Sequence, residues 1–390
     1  MKKLLITLGV WALVLYGISF FADYFLLYAP SFPYADVLLP ETGLPRFVYS
    51  WANFDGVHYL TIVKNGYVGT GLIQAFFPVY PALIALDQVF GIDPIISGQI
   101  LSLVSFLGVL IVWGKLVTAV YGKSISHFSR YALLVFPTAF FFMAVYTESL
   151  FLVLVLLSFY AAHQKKWWLA IAAAAVASGT RIVGIALLPA LLVEYLDQRN
   201  LLTRELLTKP IALLGKLDFT DFTRLISIFL STIGLLGYSF FLYKEFKDPL
   251  YFFHVQEEFG GGRSESLVLF PQVVVRYTKI LLTVPVSTWS FFTYLQEFAI
   301  SMGGLTLLVF GWMRRLRWSH LIYGTIVFLI PTLTGTFSSM PRYVLACFPV
   351  FIVWAMMVQN YPKLRFVWYV ISSILLVLST LLFIQGYWLA

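Results

Sequence analysis

The chain has 390 residues, 60% of them hydrophobic and only 11% charged, with a mean hydropathy of +0.87. Soluble domains are about 45–50% apolar and about 25% charged, so this composition cannot cover a water-soluble surface and excludes a soluble enzyme or binding module. The net charge of +8 would point to nucleic acid in a soluble protein, but here the basic residues sit in short clusters between apolar runs, the pattern that orients a membrane protein, and no nucleic-acid partner is expected.

Residues 1–28 begin Met-Lys-Lys and stay apolar to Tyr28. The run exceeds a signal-peptide core and no Ala-x-Ala site follows, so it reads as an uncleaved first span with a cytoplasmic N-terminus. Residues 29–93 read as a long first outer loop. Its early part carries four prolines, Asp36, Glu41 and Arg46; its later part, 72–92, is apolar but interrupted by Pro78, Pro81 and Asp87. Ten further candidate spans follow at 94–121, 130–146, 147–163, 167–181, 182–197, 224–243, 287–312, 318–336, 343–359 and 366–388, some of them touching or shorter than the roughly 20 apolar residues that a bilayer requires. The prediction is an all-α polytopic membrane protein with about eleven transmembrane helices. Cys347, the one cysteine, lies in an apolar run, which excludes an internal disulfide and reads as a buried thiol.

Topology hinges on residues 72–92. If they lie at the interface without crossing, 17 of the 26 lysines and arginines fall on the cytoplasmic side, Lys2 and Lys3 included. If they cross, every later loop flips and the basic clusters lie outside. The positive-inside bias favours the non-crossing arrangement, and the prolines and Asp87 suit a segment partly buried against protein. Asp55, His58, Glu148, Arg181, Arg342 and a second large outer loop at 244–286 then gather at the non-cytoplasmic end of a multi-pass plasma (inner) membrane protein. Ionisable groups at membrane depth are costly and default to functional hypotheses. No linker, low-complexity tract or internal repeat divides the chain, which reads as a single domain over 1–390.

Asp55-Gly56-Val57-His58-Tyr59 is the first candidate. In a helix starting after Gly56, Asp55, His58 and Tyr59 share one face. Asp55 suits a general base, because partial desolvation raises its basicity, and equally suits an N-cap. Too few ligands surround it for a metal. Glu148, in Tyr146-Thr147-Glu148-Ser149, is either a buried functional acid or a helix-start acid favoured by the dipole. Arg181 and Arg342 each stand at the outer end of a span, as snorkelling arginines or as planar forks for a phosphate. For Arg342 a neighbouring helix start adds to the anion reading. The loop 244–286 places His254 and Gln256 on an aromatic stretch before Gly260-Gly261-Gly262-Arg263, which suits sugar or headgroup contact under a mobile lid, or a plain interfacial helix. No Walker A, GxGxxG, HExxH or GxSxG pattern occurs, which disfavours nucleotide-driven transport and serine or zinc hydrolysis.

The stretch Phe54-Asp55-Gly56-Val57-His58-Tyr59-Leu60-Thr61-Ile62-Val63-Lys64-Asn65-Gly66-Tyr67, followed by Ala75-Phe76-Phe77-Pro78, resembles the PIG-V family of mannosyltransferases, which includes eukaryotic GPI mannosyltransferases and bacterial relatives. Phe54 stands where that family carries Trp, and Val63 where it carries Ala. Further agreement lies in Phe136-Pro137, Tyr146-Thr147-Glu148-Ser149, Thr180-Arg181 with Gly184, Arg342-Tyr343 with Phe348-Pro349, and Asp248-Pro249 through Gln256 to Arg263. The resemblance runs in order along most of the chain. It implies the glycosyltransferase-C superfamily, with a long first outer loop carrying interfacial helices, and inverting transfer of a hexose, most simply mannose, from a polyprenyl- or dolichyl-phosphate donor to a glycolipid or glycan hydroxyl at the extracytoplasmic face. It further implies Asp55 as base, and neither metal nor cofactor. Arg342, Arg263, Arg181, His58 and Tyr59 become candidates for the donor's phosphate and sugar; Glu148, His254, Gln256 and Tyr146 become candidates for contacting the acceptor or supporting the site. The rival expectation is a flippase or transporter of lipid-linked sugars, with polar residues along a path through the membrane. A purely structural subunit leaves the Asp55 cluster unexplained.

Overall fold

The computed structural model describes residues 2–32, 37–202, 217–256, 258 and 268–389. Among these, every regular element is an α- or 3-10 helix. Five helices are long and apolar enough to cross a membrane: Lys2–Tyr24, Pro94–Tyr121, Phe219–Phe246, Trp289–Met313 and Pro362–Ile384. A sixth candidate is the pair Met340–Ala346 and Phe348–Val358, bent by 81°. The chain is thus an integral membrane protein. The other segments read as spans form shorter helices, among them Glu148–His163, Trp167–Ser178 and Trp318–Thr332. The helix within 72–92 is Val79–Asp87, nine residues long, or about 14 Å at 1.5 Å per residue against a hydrocarbon core of about 30 Å.

Local chemistry sets the boundaries. The Asp93 carboxylate accepts the Ile95 and Ile96 N–H groups at 2.8 and 3.4 Å, with Pro94 at the first helical position, so the helix Pro94–Tyr121 starts there. The span read over 130–146 is helical only to Leu134. Beyond it, Pro137 cannot donate to a helical ladder, and residues 136–150 are buried throughout. Inside protein, such irregular backbone is tolerated only where its polar groups find partners. Here the Val145 N–H donates to the Trp51 carbonyl at 3.0 Å, the Ala144 carbonyl accepts the Ser102 hydroxyl at 2.8 Å, and the Thr138 hydroxyl donates to the Pro341 carbonyl at 2.9 Å. This buried strap therefore joins three distant parts of the chain and delivers Glu148 beside them.

Around it lies one aromatic-rich core. Phe106 stacks on Phe142 with ring centroids 4.4 Å apart, and Phe159, His320, Tyr323 and Phe348 pack edge to face or tilted nearby. Cys347 sits at the 81° bend, fully buried, as its apolar surroundings in the sequence suggest. Within 244–286 the structure adds an amphipathic helix, Phe270–Thr283, that the outer-loop reading did not anticipate.

Candidate active site

The backbone entering the helix Asp55–Asn65 is fixed from three sides. Asn53 donates through its side-chain amide to the Phe383 and Ile384 carbonyls at 2.8 and 3.2 Å, at the end of the helix Pro362–Ile384. Phe54 takes a positive φ of 57°, an unfavourable conformation for a bulky residue, and is held by ring contacts with Phe32 at 4.7 Å and Trp388 at 5.4 Å. The Tyr146 hydroxyl donates to the Asn53 carbonyl at 2.9 Å and accepts the Asp55 N–H at 3.1 Å. Gly56 permits the close approach to the strap, since a Cβ there would lie 3.1 Å from the Ala52 Cβ and 3.5 Å from the Val145 carbonyl oxygen. Asp55 is therefore the first helical residue, and Phe54 occupies the N-cap position. Its carboxylate pairs with Arg342.

That contact opens a ladder of alternating charge. Arg342 pairs with Asp55 through Nη1, and its Nε lies 3.2 Å from Glu148 Oε1. Glu148 pairs in turn with Arg181, whose Nη1 is also 3.4 Å from the Thr147 hydroxyl. The guanidinium of Arg181 lies 4.8 Å over the Tyr343 ring and that of Arg342 lies 5.4 Å over Tyr146. Buried charges must be paired, because desolvation otherwise costs several kcal/mol per ion; two acids and two arginines sum to zero. The pairing is unequal, however. The Glu148 side chain is 2% exposed and that of Asp55 is 20% exposed, so Asp55 is the most open member. Glu148 Oε2, fully buried, has no hydrogen-bond partner among the described residues.

All four line one cavity of about 560 Å³. Phe32, Phe54 and Trp388 meet ring to ring on one part of its wall, Phe77 and Ile182 belong to one apolar cluster on another, beside Arg181, and Leu72 and Tyr294 also line it. His58, Tyr59 and Gln256 also line it. The His58 ring stacks on Phe76 at 4.9 Å, and burial pulls its pKa below the ordinary 6.5, with Asp55 opposing the shift. Tyr146 sits beneath the Asp55 helix, as its bonds above show. His254 does not line the cavity; its Nδ1 lies 2.6 Å from Asp248 Oδ2. Arg263 lies outside the described residues.

Two groups that the sequence reading passed over complete the arrangement. Glu297 is buried within the apolar helix Trp289–Met313. Its carboxylate accepts the Tyr277 hydroxyl at 2.7 Å and the Ser339 N–H at 3.3 Å, and Ser339, with φ of 65°, leads directly into the helix that carries Arg342. An acid inside an otherwise apolar span was the available signal. The second group is Trp388, which nothing in the sequence distinguished from an interfacial tryptophan.

No protein-family model matches the chain, and no curated protein does. Among solved structures it is similar to the crystal structure of ArnT from Cupriavidus metallidurans bound to undecaprenyl phosphate, with 15% identity and a TM-score of 0.48 over 93% of this chain. The chain spans 61% of the length of that structure.

Proposed function

We propose that the protein is a polyprenyl-phosphate-sugar-dependent glycosyltransferase of the glycosyltransferase-C type, moving a hexose, in the first instance mannose, to a hydroxyl of a glycolipid or glycan at the extracytoplasmic face. The observation that carries this reading is the ladder itself: an acid open to a cavity, next to two arginines whose charge is only internally compensated, with apolar walls leading away. The motif resemblance of the Asp55 stretch to PIG-V mannosyltransferases supports it independently.

In this reading the donor phosphate, an anion, draws Arg342 and Arg181 toward itself, and the planar forks suit its oxygens. Asp55, released from Arg342, then accepts a hydrogen bond from the acceptor hydroxyl. As the acceptor oxygen bonds to the anomeric carbon, the bond from that carbon to the phosphate oxygen breaks on the opposite face, which inverts the configuration. The hydroxyl proton passes to Asp55 and the polyprenyl phosphate leaves as an anion held by the arginines. The reaction requires no cofactor, because the donor carries its own leaving group. The prenyl chain lies along the apolar wall of Phe77 and Ile182.

The test uses the full chain in nanodiscs, as wild type and Asp55→Asn, supplied with polyprenyl-phosphate mannose labelled in the sugar and a lipid and glycan extract as acceptor pool. Label should move to a new product with the wild type and fall about 10²–10⁴-fold with the variant, the usual contribution of a general base. Transfer retained by Asp55→Asn would remove Asp55 as base. Donor binding without any transfer, under every acceptor offered, would favour a lipid-linked-sugar transporter.

A further inference from the structure

The segment after the helix Pro362–Ile384 is held too firmly, and with too much aromatic surface left open, to be a mere trailing strand. The Gln385 and Gly386 carbonyls accept the Ala29 and Ser31 N–H groups at 3.0 and 2.9 Å, and the Ser31 hydroxyl adds a bond to Gly386 at 3.0 Å. Gly386 has φ of 77°, and a Cβ there would lie 2.5 Å from the Pro30 Cα, so only glycine permits this approach. The Trp388 carbonyl accepts the Thr293 hydroxyl at 3.0 Å, and Leu389 beyond it is buried. Between these anchors Trp388 stays 45% exposed and lines the cavity, edge to face with Phe54. An open indole on a backbone pinned before and after it is a preformed surface, with little ordering cost left for a ligand to meet.

We infer that Trp388, with Phe54 packed against its indole, forms the subsite that takes a hexopyranose ring of the acceptor by stacking. The assignment rests on the glycosyltransferase reading for its direction. The charge ladder has Asp55 at one end and Arg181 at the other, and inversion requires the acceptor and the leaving phosphate on opposite faces of the transferred sugar. Trp388 stands at the Asp55 end through its contact with Phe54, the residue preceding the acid in the chain. Arg181 stands at the other end, near the Val79 N–H that donates to the Gly179 carbonyl at 3.2 Å. The face of a pyranose presents polarised C–H groups that fit an indole face, whereas its hydroxyls point outward, one of them toward the base. The competing role of Trp388, a bilayer-interface anchor, predicts an indole facing lipid.

The test measures binding of octyl α-mannoside, and of an octyl phosphocholine with the same chain and no sugar ring, to the full chain in nanodiscs. Wild type is compared with Trp388→Phe and Trp388→Ala, with thermal stability measured in parallel. Mannoside binding should weaken about tenfold in Trp388→Ala and less in Trp388→Phe, the size expected of one lost aromatic stack, with phosphocholine binding unchanged. Equal mannoside binding by wild type and both variants overturns the subsite. Lowered stability with unchanged mannoside affinity overturns it in favour of an anchor. If Trp388→Ala does not fold, Trp388→Phe decides alone, with a smaller but measurable loss expected. Because binding is read without turnover, a chain that binds mannoside through Trp388 yet transfers no sugar from polyprenyl-phosphate mannose keeps the subsite and removes the transferase reading.

Discussion

Glu194 and Glu148 are both buried and both face arginines, and the contrast between them separates a structural clasp from a site. Glu194 accepts from Arg317 through Nε and Nη2 at 2.7 and 2.6 Å, from the Ser319 hydroxyl at 2.6 Å and from the Gln198 amide at 2.6 Å. Both of its oxygens are engaged, and the cluster ties the helix Leu187–Gln198 to the helix Trp318–Thr332. Glu148 shares one oxygen between two arginines and leaves the other without a hydrogen-bond partner among the described residues. The first cluster is complete as it stands. The second is charge-balanced but not fully hydrogen-bonded, and it borders a cavity. Satisfaction of every lone pair marks a network made to hold helices together, whereas an incomplete one in contact with open space invites a ligand.

The sharpest way to break the comparison is Arg342→Met. It leaves Asp55 and Glu148 without their shared partner, so a stability loss of about 3–5 kcal/mol is expected along with complete loss of transfer, measured by thermal melting in detergent and by the labelled-donor assay. Adding Asp55→Asn should restore part of the stability and none of the transfer, because the uncompensated charge is then removed. Glu194→Ala should cost about 3 kcal/mol by the same physics, with Arg317 partly able to reach water, yet leave transfer per folded molecule unchanged. If transfer falls as far as in Arg342→Met, the division between clasp and site is wrong. Glu297→Gln should behave nearly as wild type, since its amide oxygen still accepts the Ser339 N–H while its NH2 group donates to the Tyr277 hydroxyl, which can turn its own proton to Thr336. Glu297→Ala should lose about 1–3 kcal/mol and lower kcat through the Ser339 turn that aims Arg342; identical kcat values in the two variants would remove that positioning role.

The smallest expected effect is a pH dependence at His58. Its pKa in the folded protein is below the ordinary 6.5, mainly through burial, so below that value the unfolded chain binds more protons than the folded one. The stabilisation is complete above pH 6.5 and declines as pH falls toward the folded pKa. Melting temperatures of the wild type should therefore drop more steeply on acidification than those of His58→Gln; parallel curves would show that His58 is more open than its packing against Phe76 indicates.

Much of the site was legible in the sequence, because ionisable residues in so apolar a chain are few. Asp55, Glu148, Arg181 and Arg342 could each be singled out for that reason, and the structure places all four on one cavity. Their mutual pairing was not legible. Asp55 and Arg342 are 287 positions apart, and no local pattern encodes which acid meets which arginine. The fold was legible as an all-helical membrane chain and less so in its segmentation. Hydropathy reads the aromatic run 136–146 as part of a span, since it registers transfer from water and not whether the backbone is helical; the strap shows that an apolar stretch buried in protein can be irregular if its carbonyls and amides are met elsewhere. Trp388 escaped notice for the opposite reason, as a tryptophan near the end of an apolar span is ordinary.

The strap and its partners also bear on how the molecule is made. The Asn53 side chain is bonded to carbonyls 330 and 331 positions later, so the loop that carries Asp55 cannot be seated until the helix Pro362–Ile384 has emerged and inserted. At about 5–20 residues per second, the interval is on the order of 15 seconds to a minute. For that time the nascent chain holds an acid and its aromatic neighbours without their anchors, and under the proposed reaction a donor bound early would find its base unseated. The face that carries Asp55 is thus assembled only after the helix Pro362–Ile384 is in place, however early its own helix forms.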